Sequence, residues 1–167
     1  MSVHDCARSW SAVAFVFICL GRGTAAIAGT CTHPLFADDV LYPAGDAPFG
    51  VAMGDLDGDG DLDLAVANNA AFPATGTISV LMNNGSGVFA APVPYAISSD
   101  ARSVIIANLN ADAFPDLACN NLTFGTVSVL LNNGDGTFAA LITYNAGTSA
   151  AFVRAGDLDN DGDLDLA

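Results

Sequence analysis

Three short stretches share one pattern and set the scale of everything between them: FADDVLY (36–42), FAAPVPY (89–95) and FAALITY (138–144). Phe36 and Phe89 are 53 residues apart, and Phe89 and Phe138 are 49 apart. A second landmark agrees, because TISVLMNNGSGVF (77–89) and TVSVLLNNGDGTF (126–138) are again offset by 49. The sequence therefore divides into copies 36–88 and 89–137 and a shorter third copy, 138–167. Self-similarity at this period is the mark of one supersecondary unit stacked on itself, each unit burying a face against the next. The four extra residues of the first copy fall in NNAAFPATG (68–76), which reads as a surface loop.

The unit is made of strands. The chain contains no glutamate, lysine or glutamine, and those residues are strong helix formers. Within each copy the expected first strand is GVAMG (50–54), SVIIA (103–107) or FVRAG (152–156), and the second is LDLAVA (62–67) or PDLAC (115–119). Small apolar residues on both faces of the second strand predict burial on both sides. The third strand, TISVLM or TVSVLL, runs to Asn84-Gly85 or Asn133-Gly134. Asn-Gly is the strongest short hairpin signal, because a type I′ turn needs positive φ twice. The fourth strand is expected from the landmark Phe to the landmark Tyr. Four antiparallel strands at a period near 50 fit a β-propeller blade. The fold class is therefore all-β, an incomplete propeller of about two and a half blades, since closure takes about four to eight. The sequence reads as a piece of a longer protein.

Between the first and second strands lies a concentration of like charge. GDLDGDGDLDLA (54–65) and GDLDNDGDLDLA (156–167) each place five aspartates in nine residues. Such a loop is costly without a cation. Calcium takes about 6–8 oxygen ligands, carboxylate and carbonyl alike. Counting Asp55 as position 1, the side chains of Asp55, Asp57, Asp59 and Asp63 are the expected ligands at positions 1, 3, 5 and 9, and Asp61 offers its backbone carbonyl at position 7. Gly60 turns the chain, while Leu56 and Leu62 are expected to anchor the loop into the blade. Asp157, Asp159, Asp161, Asp163 and Asp165 repeat the set around Gly162. The middle copy, NLNADAFPD (108–116), keeps oxygens at Asn108, Asn110, Asp112 and Asp116, but only two are charged and Ala113 replaces the turn glycine. Its site is expected to be weaker or empty. An EF-hand needs a glutamate at position 12 and flanking helices. Position 12 here is Val66 in an apolar strand, so that reading fails.

FGVAMGDLDGDGDLDLAVAN followed by TISVLMNNGSGVF resembles the FG-GAP or VCBS-type repeat that forms the blades of integrin α-subunit propellers and of many secreted bacterial proteins. The resemblance covers residues 36–167. It implies a calcium-stabilised propeller outside the cell, with calcium held by the loop residues just named.

Residues 1–28 read as an export signal: Arg8 in the charged region, an apolar run from 11 to 21, and AIA (26–28) before the cleavage point. The run is too short for a span of about 20 residues, and Arg22 interrupts it, so no stable membrane span is expected. Residues 29–35 are a linker. Without residues 1–28 the chain holds 17 aspartates and two arginines, a net charge of −15. That balance argues against nucleic acid as a partner. An exported chain could pair Cys31 with Cys119. However, Cys119 stands where the first copy has Val66, which reads as a buried small hydrophobe. Outside the loops no catalytic constellation is evident, since there is no glutamate and His33 is the only histidine after the leader. The expected function is a secreted, non-catalytic calcium-binding module for extracellular adhesion or for recognition of a glycan or protein. The alternative is part of a polysaccharide-cleaving propeller whose active site lies in other blades.

Overall fold

The structure, a computed structural model, describes residues 40–69 and 75–167. The expected leader, the linker, Cys31, His33 and the first Phe landmark lie outside these residues. All ten elements are strands: β1 (Pro48–Gly54), β2 (Asp63–Asn68), β3 (Thr77–Leu81), β4 (Val93–Ala96), β5 (Val104–Ala107), β6 (Asp116–Asn121), β7 (Thr126–Leu130), β8 (Ile142–Asn145), β9 (Ala155–Gly156) and β10 (Asp165–Leu166). They form a four-stranded sheet β1-β2-β3-β4, a second β5-β6-β7-β8, and a pair β9-β10, all antiparallel and in sequence order. Each four-stranded sheet takes three strands from one sequence copy and its fourth from the opening of the next. The Phe-to-Tyr stretch thus closes the preceding sheet.

The expected double burial of the second strand is observed. β6 is buried throughout, and β2 is buried except at Leu64. Alternation sorts the side chains. Ala65, Ala67, Ile78 and Val80 of the first sheet meet Val104, Leu117, Cys119 and Leu130 of the second in one core. On the second sheet's other face, Ala118, Val127 and Val129 pack with Val153, Leu109 and Leu166. Alanine on the central strands and β-branched residues beside them bring the sheets close together and still fill the space between them. Gly50 helps at the same seam, because a Cβ there would run into the backbone carbonyl of Arg102.

One aromatic contact recurs from unit to unit. Tyr42 meets Phe89 edge-to-face at 5.3 Å and 82°, and Tyr95 meets Phe138 at 5.2 Å and 82°. Cys119 is a free thiol with no exposed surface. Burial pushes its pKa up to about 12, against which the Ser128 hydrogen bonds pull only weakly. It is an inert packing group.

Three local expectations need correction. The turn after β3 is wider than a two-residue type I′ turn. Asn84 N–H donates to the Val88 carbonyl at 3.1 Å, and positive φ falls on Gly85 and Gly87 rather than on Asn84. The reason lies in Asn83, whose side-chain oxygen accepts from both Gly85 and Gly87 and winds the loop around itself. The fourth strand pairs from Val93 rather than Phe89, which makes only an isolated bridge to Asn83. Finally, Leu56 is fully buried as expected, but Leu62 is 55% exposed. Only one of the two loop leucines is an anchor.

Candidate metal centre

The loop between β1 and β2 winds its backbone amides onto its own carboxylates. Asp55 accepts from the N–H of Gly58 at 2.8 Å and of Gly60 at 3.0 Å. Asp57 accepts from Asp59 N–H at 3.2 Å, and Asp59 from Asp61 N–H at 2.9 Å. These local bonds are the turns that aspartate forms readily two residues ahead of itself. They leave carboxylate oxygens of Asp55, Asp57 and Asp59 all within 4.8 Å of one another. The third copy behaves alike. Asp157 accepts from Gly162 at 3.1 Å and Asp159 from Asp161 at 3.2 Å, and oxygens of Asp157, Asp159 and Asp165 lie within 4.8 Å of one another. The two clusters are not identical. The first draws on positions 1, 3 and 5, and the third on positions 1, 3 and 9.

Position 9 has a second task that sequence spacing does not reveal. Asp63 has no exposed surface, and it accepts from Leu56 N–H and from Asn83 N–H, both at 2.8 Å. One carboxylate thus latches the loop's start to Asn83, two residues beyond β3. The middle copy repeats this: Asp116, equally buried, accepts from Leu109 N–H at 2.8 Å and Asn132 N–H at 2.9 Å. In the third copy Asp165 accepts from Leu158 N–H at 3.0 Å. Burial raises the pKa of the Asp63 carboxyl. The amides of Asn83 and Leu56 pull it down, the charges of Asp57 and Asp59 push it up again, and the net shift is upward. Its ionised form is therefore under stress in the metal-free fold. A cation beside it would relieve that.

Asp61 and Asp163, expected to offer carbonyls, contribute to neither carboxylate cluster. The Asp61 side chain lies instead against Gly85 of the β3–β4 turn. The middle loop brings no three acidic groups together among the described residues. Its amides occupy its own oxygens: Asn108 donates to the Asp112 carbonyl, and Asn110 donates to the Asp112 carboxylate at 2.7 Å. Its path also differs. Gly60 and Gly162 adopt φ of 92° and 98°, a region closed to Ala113. Asn108 accordingly accepts from Asn110 N–H, not from the residue at position 6. At position 4 all three copies take positive φ: Gly58 at 79°, Ala111 at 60° and Asn160 at 62°. Gly and Asn at that position were a readable signal for it.

The donor set suits a hard cation. Every offered atom is oxygen, the carboxylates outnumber nearby positive groups, and both described arginines are engaged elsewhere. Arg102 lies over Phe49 and Arg154 bonds Val153 and Ser103. A latched carboxylate still has free lone pairs, so position 9 can hold backbone amides and a metal together. Oxygen-only donors, several of them carboxylates, match calcium better than magnesium, which keeps its waters, or zinc, which prefers nitrogen and sulfur.

Stacked four-stranded antiparallel sheets, each with such a loop between its first two strands, define a protein of propeller-blade repeats. The FG-GAP repeat family matches residues 47–81, and the FG-GAP-like repeat family matches residues 108–167, taking in the middle and third loops. The chain is an FG-GAP-type repeat protein. No curated protein matches it.

Proposed function

We propose that the chain is a secreted, non-catalytic calcium-binding module that presents its blades as a rigid surface for an extracellular glycan or protein. The observation behind the calcium reading is the pair of three-carboxylate clusters, each gathered by its own backbone and paired with no arginine among the described residues. Calcium would neutralise Asp55, Asp57 and Asp59 in the first loop and Asp157, Asp159 and Asp165 in the third. Ligand-fold linkage then stabilises both loops, because the unfolded chain has no formed site. The middle loop, with Asn108, Asn110, Asp112 and Asp116, stays weak. No helix among the described residues is long and apolar enough to cross a membrane, and the sequence holds no glutamate and only two histidines from which to build an acid–base site. Calorimetry on the chelator-stripped chain tests the metal reading: two sites filling with calcium, magnesium binding more weakly, and a lower melting temperature in chelator. Absent heat, or equal affinity for magnesium, overturns it.

A further inference from the structure

One residue of the first acidic loop is held by the neighbouring unit. Leu56 stands between two of the clustered carboxylates, Asp55 and Asp57. Its side chain has no exposed surface and sits in the core shared with Leu117 and Leu130 of the second sheet. Its N–H donates to Asp63 of its own unit at 2.8 Å. Its carbonyl accepts at 2.8 Å from the side-chain amide of Asn132, 76 positions away beyond β7. The peptide groups on both sides of Leu56 are thus hydrogen-bonded, one within the unit and one across the junction.

Asn132 is itself fixed on every side. It is buried, and its side-chain amide also reaches the Pro115 carbonyl at 3.0 Å, while its side-chain oxygen accepts from Gly134 N–H at 2.8 Å. Its own N–H donates to Asp116. One residue therefore links the first loop to the latch of the second. Asn83, the counterpart in the first unit, uses its side-chain amide on the Leu62 carbonyl of its own loop. The turn that Asn132 opens also lies against Asp57: a Cβ on Gly136 would come within 3.4 Å of the Asp57 Cβ and run into the Met82 methyl.

Resting on the calcium reading of that loop, we infer that Asn132 is a positioning residue for the first metal centre, so that the second unit sets how tightly the first unit's loop holds calcium. Asn132 acts through Leu56. Fixing the residue between Asp55 and Asp57 fixes the spacing of their carboxylates before an ion arrives, and a preformed set of oxygens binds with less ordering cost. Without that hold, calcium must itself order the loop. The side-chain bonds of Asn132 go to Leu56, Pro115 and Gly134 and none to the third loop. Asp157, Asp159 and Asp165 therefore serve as the internal control.

The test is a calcium titration of the full isotope-labelled chain by NMR, following the amides of Gly60 and Gly162, which donate to Asp55 and Asp157 and report the first and third loops separately. Asn132→Ala should weaken calcium binding at Gly60 at least about tenfold, the loss typical of a group that orients a metal ligand, and leave Gly162 unchanged. Asn133→Ala, in the same turn but exposed and bonded to Thr137, should leave both unchanged. A second arm needs no variant, because coupling is reciprocal. Calcium should slow proton exchange of the Asn132 side-chain amide more than that of Asn121, which is buried at the other end of the second sheet's central strands and bonds Thr126 and Ser128 there. If Asn132→Ala does not fold, this arm alone decides. In a folded variant, unchanged affinity at Gly60 or equal weakening at both glycines overturns the inference, as does exchange at Asn132 that follows Asn121. Wild-type glycine amides that ignore calcium overturn the calcium reading itself, and this inference with it.

Discussion

The first and middle acidic loops occupy the same place in successive sheets and end on the same latch, yet only one gathers carboxylates. Residues 55–63 bring Asp55, Asp57 and Asp59 together, and residues 108–116 fold their amides onto their own oxygens. Both hold their sheet equally well, because Asp63 and Asp116 bond the same two backbone positions. Joining the strands and gathering carboxylates are therefore separable. The buried carboxylate at position 9 does the first in both loops, and in the first loop the alternating residues before it, with the glycine at position 6, do the second.

Removing the latches should have the largest effect. Asp63→Ala and Asp116→Ala each strand two amides, at about 1–3 kcal/mol per unsatisfied group. In chelator the two should lower the urea-unfolding free energy by similar amounts. In calcium the Asp63 variant should lose more. An equal loss in calcium would mean that Asp63 is a latch alone. Next in size is the metal itself. Asp59→Ala should cost up to about 2.7 kcal/mol at calcium 100 times the dissociation constant and almost nothing in chelator, while Asp112→Ala should ignore calcium. If melting curves of the two responded alike, the contrast between the loops would collapse. The comparison can also be reversed: a middle loop carrying Asn108→Asp, Asn110→Asp and Ala113→Gly should raise the calcium stoichiometry measured by calorimetry by one site. The smallest effect lies away from all three loops. Burial would raise the pKa of Asp100, but the hydroxyl and N–H of Thr123 outweigh it and the net shift is downward from 3.8. A lowered pKa adds stability above the ordinary value that is lost as pH falls through the lowered one. Asp100→Asn should therefore flatten the acid end of the stability curve below about pH 4 and leave calcium affinity untouched.

Much of this was readable in the sequence, for physical reasons. The repeat, the central strands and the packing role of Cys119 follow from alternation and from copy-to-copy matching, which register preserves. The acidic clusters follow from the alternating aspartates of the first and third loops. Position 9 was less legible. Spacing marks Asp63 as one more ligand, whereas its latch to Asn83 depends on a residue 20 positions away. The hairpin departs from the Asn-Gly rule because that rule considers two turn residues, and here the Asn83 side chain accepts from both Gly85 and Gly87 and widens the turn. Leu62 looks like Leu56 in sequence, but the latch pulls only the Leu56 amide inward.

The Tyr–Phe contact has nearly the same length and angle at both of its occurrences, so neighbouring units meet in the same way each time. A molecule built that way behaves as a one-dimensional lattice. Its free energy separates into a term for each unit and a coupling for each junction. Tyr95→Ala would then weaken a coupling and leave the units nearly untouched. Such a change reduces cooperativity first: the melt broadens and splits before its midpoint moves far.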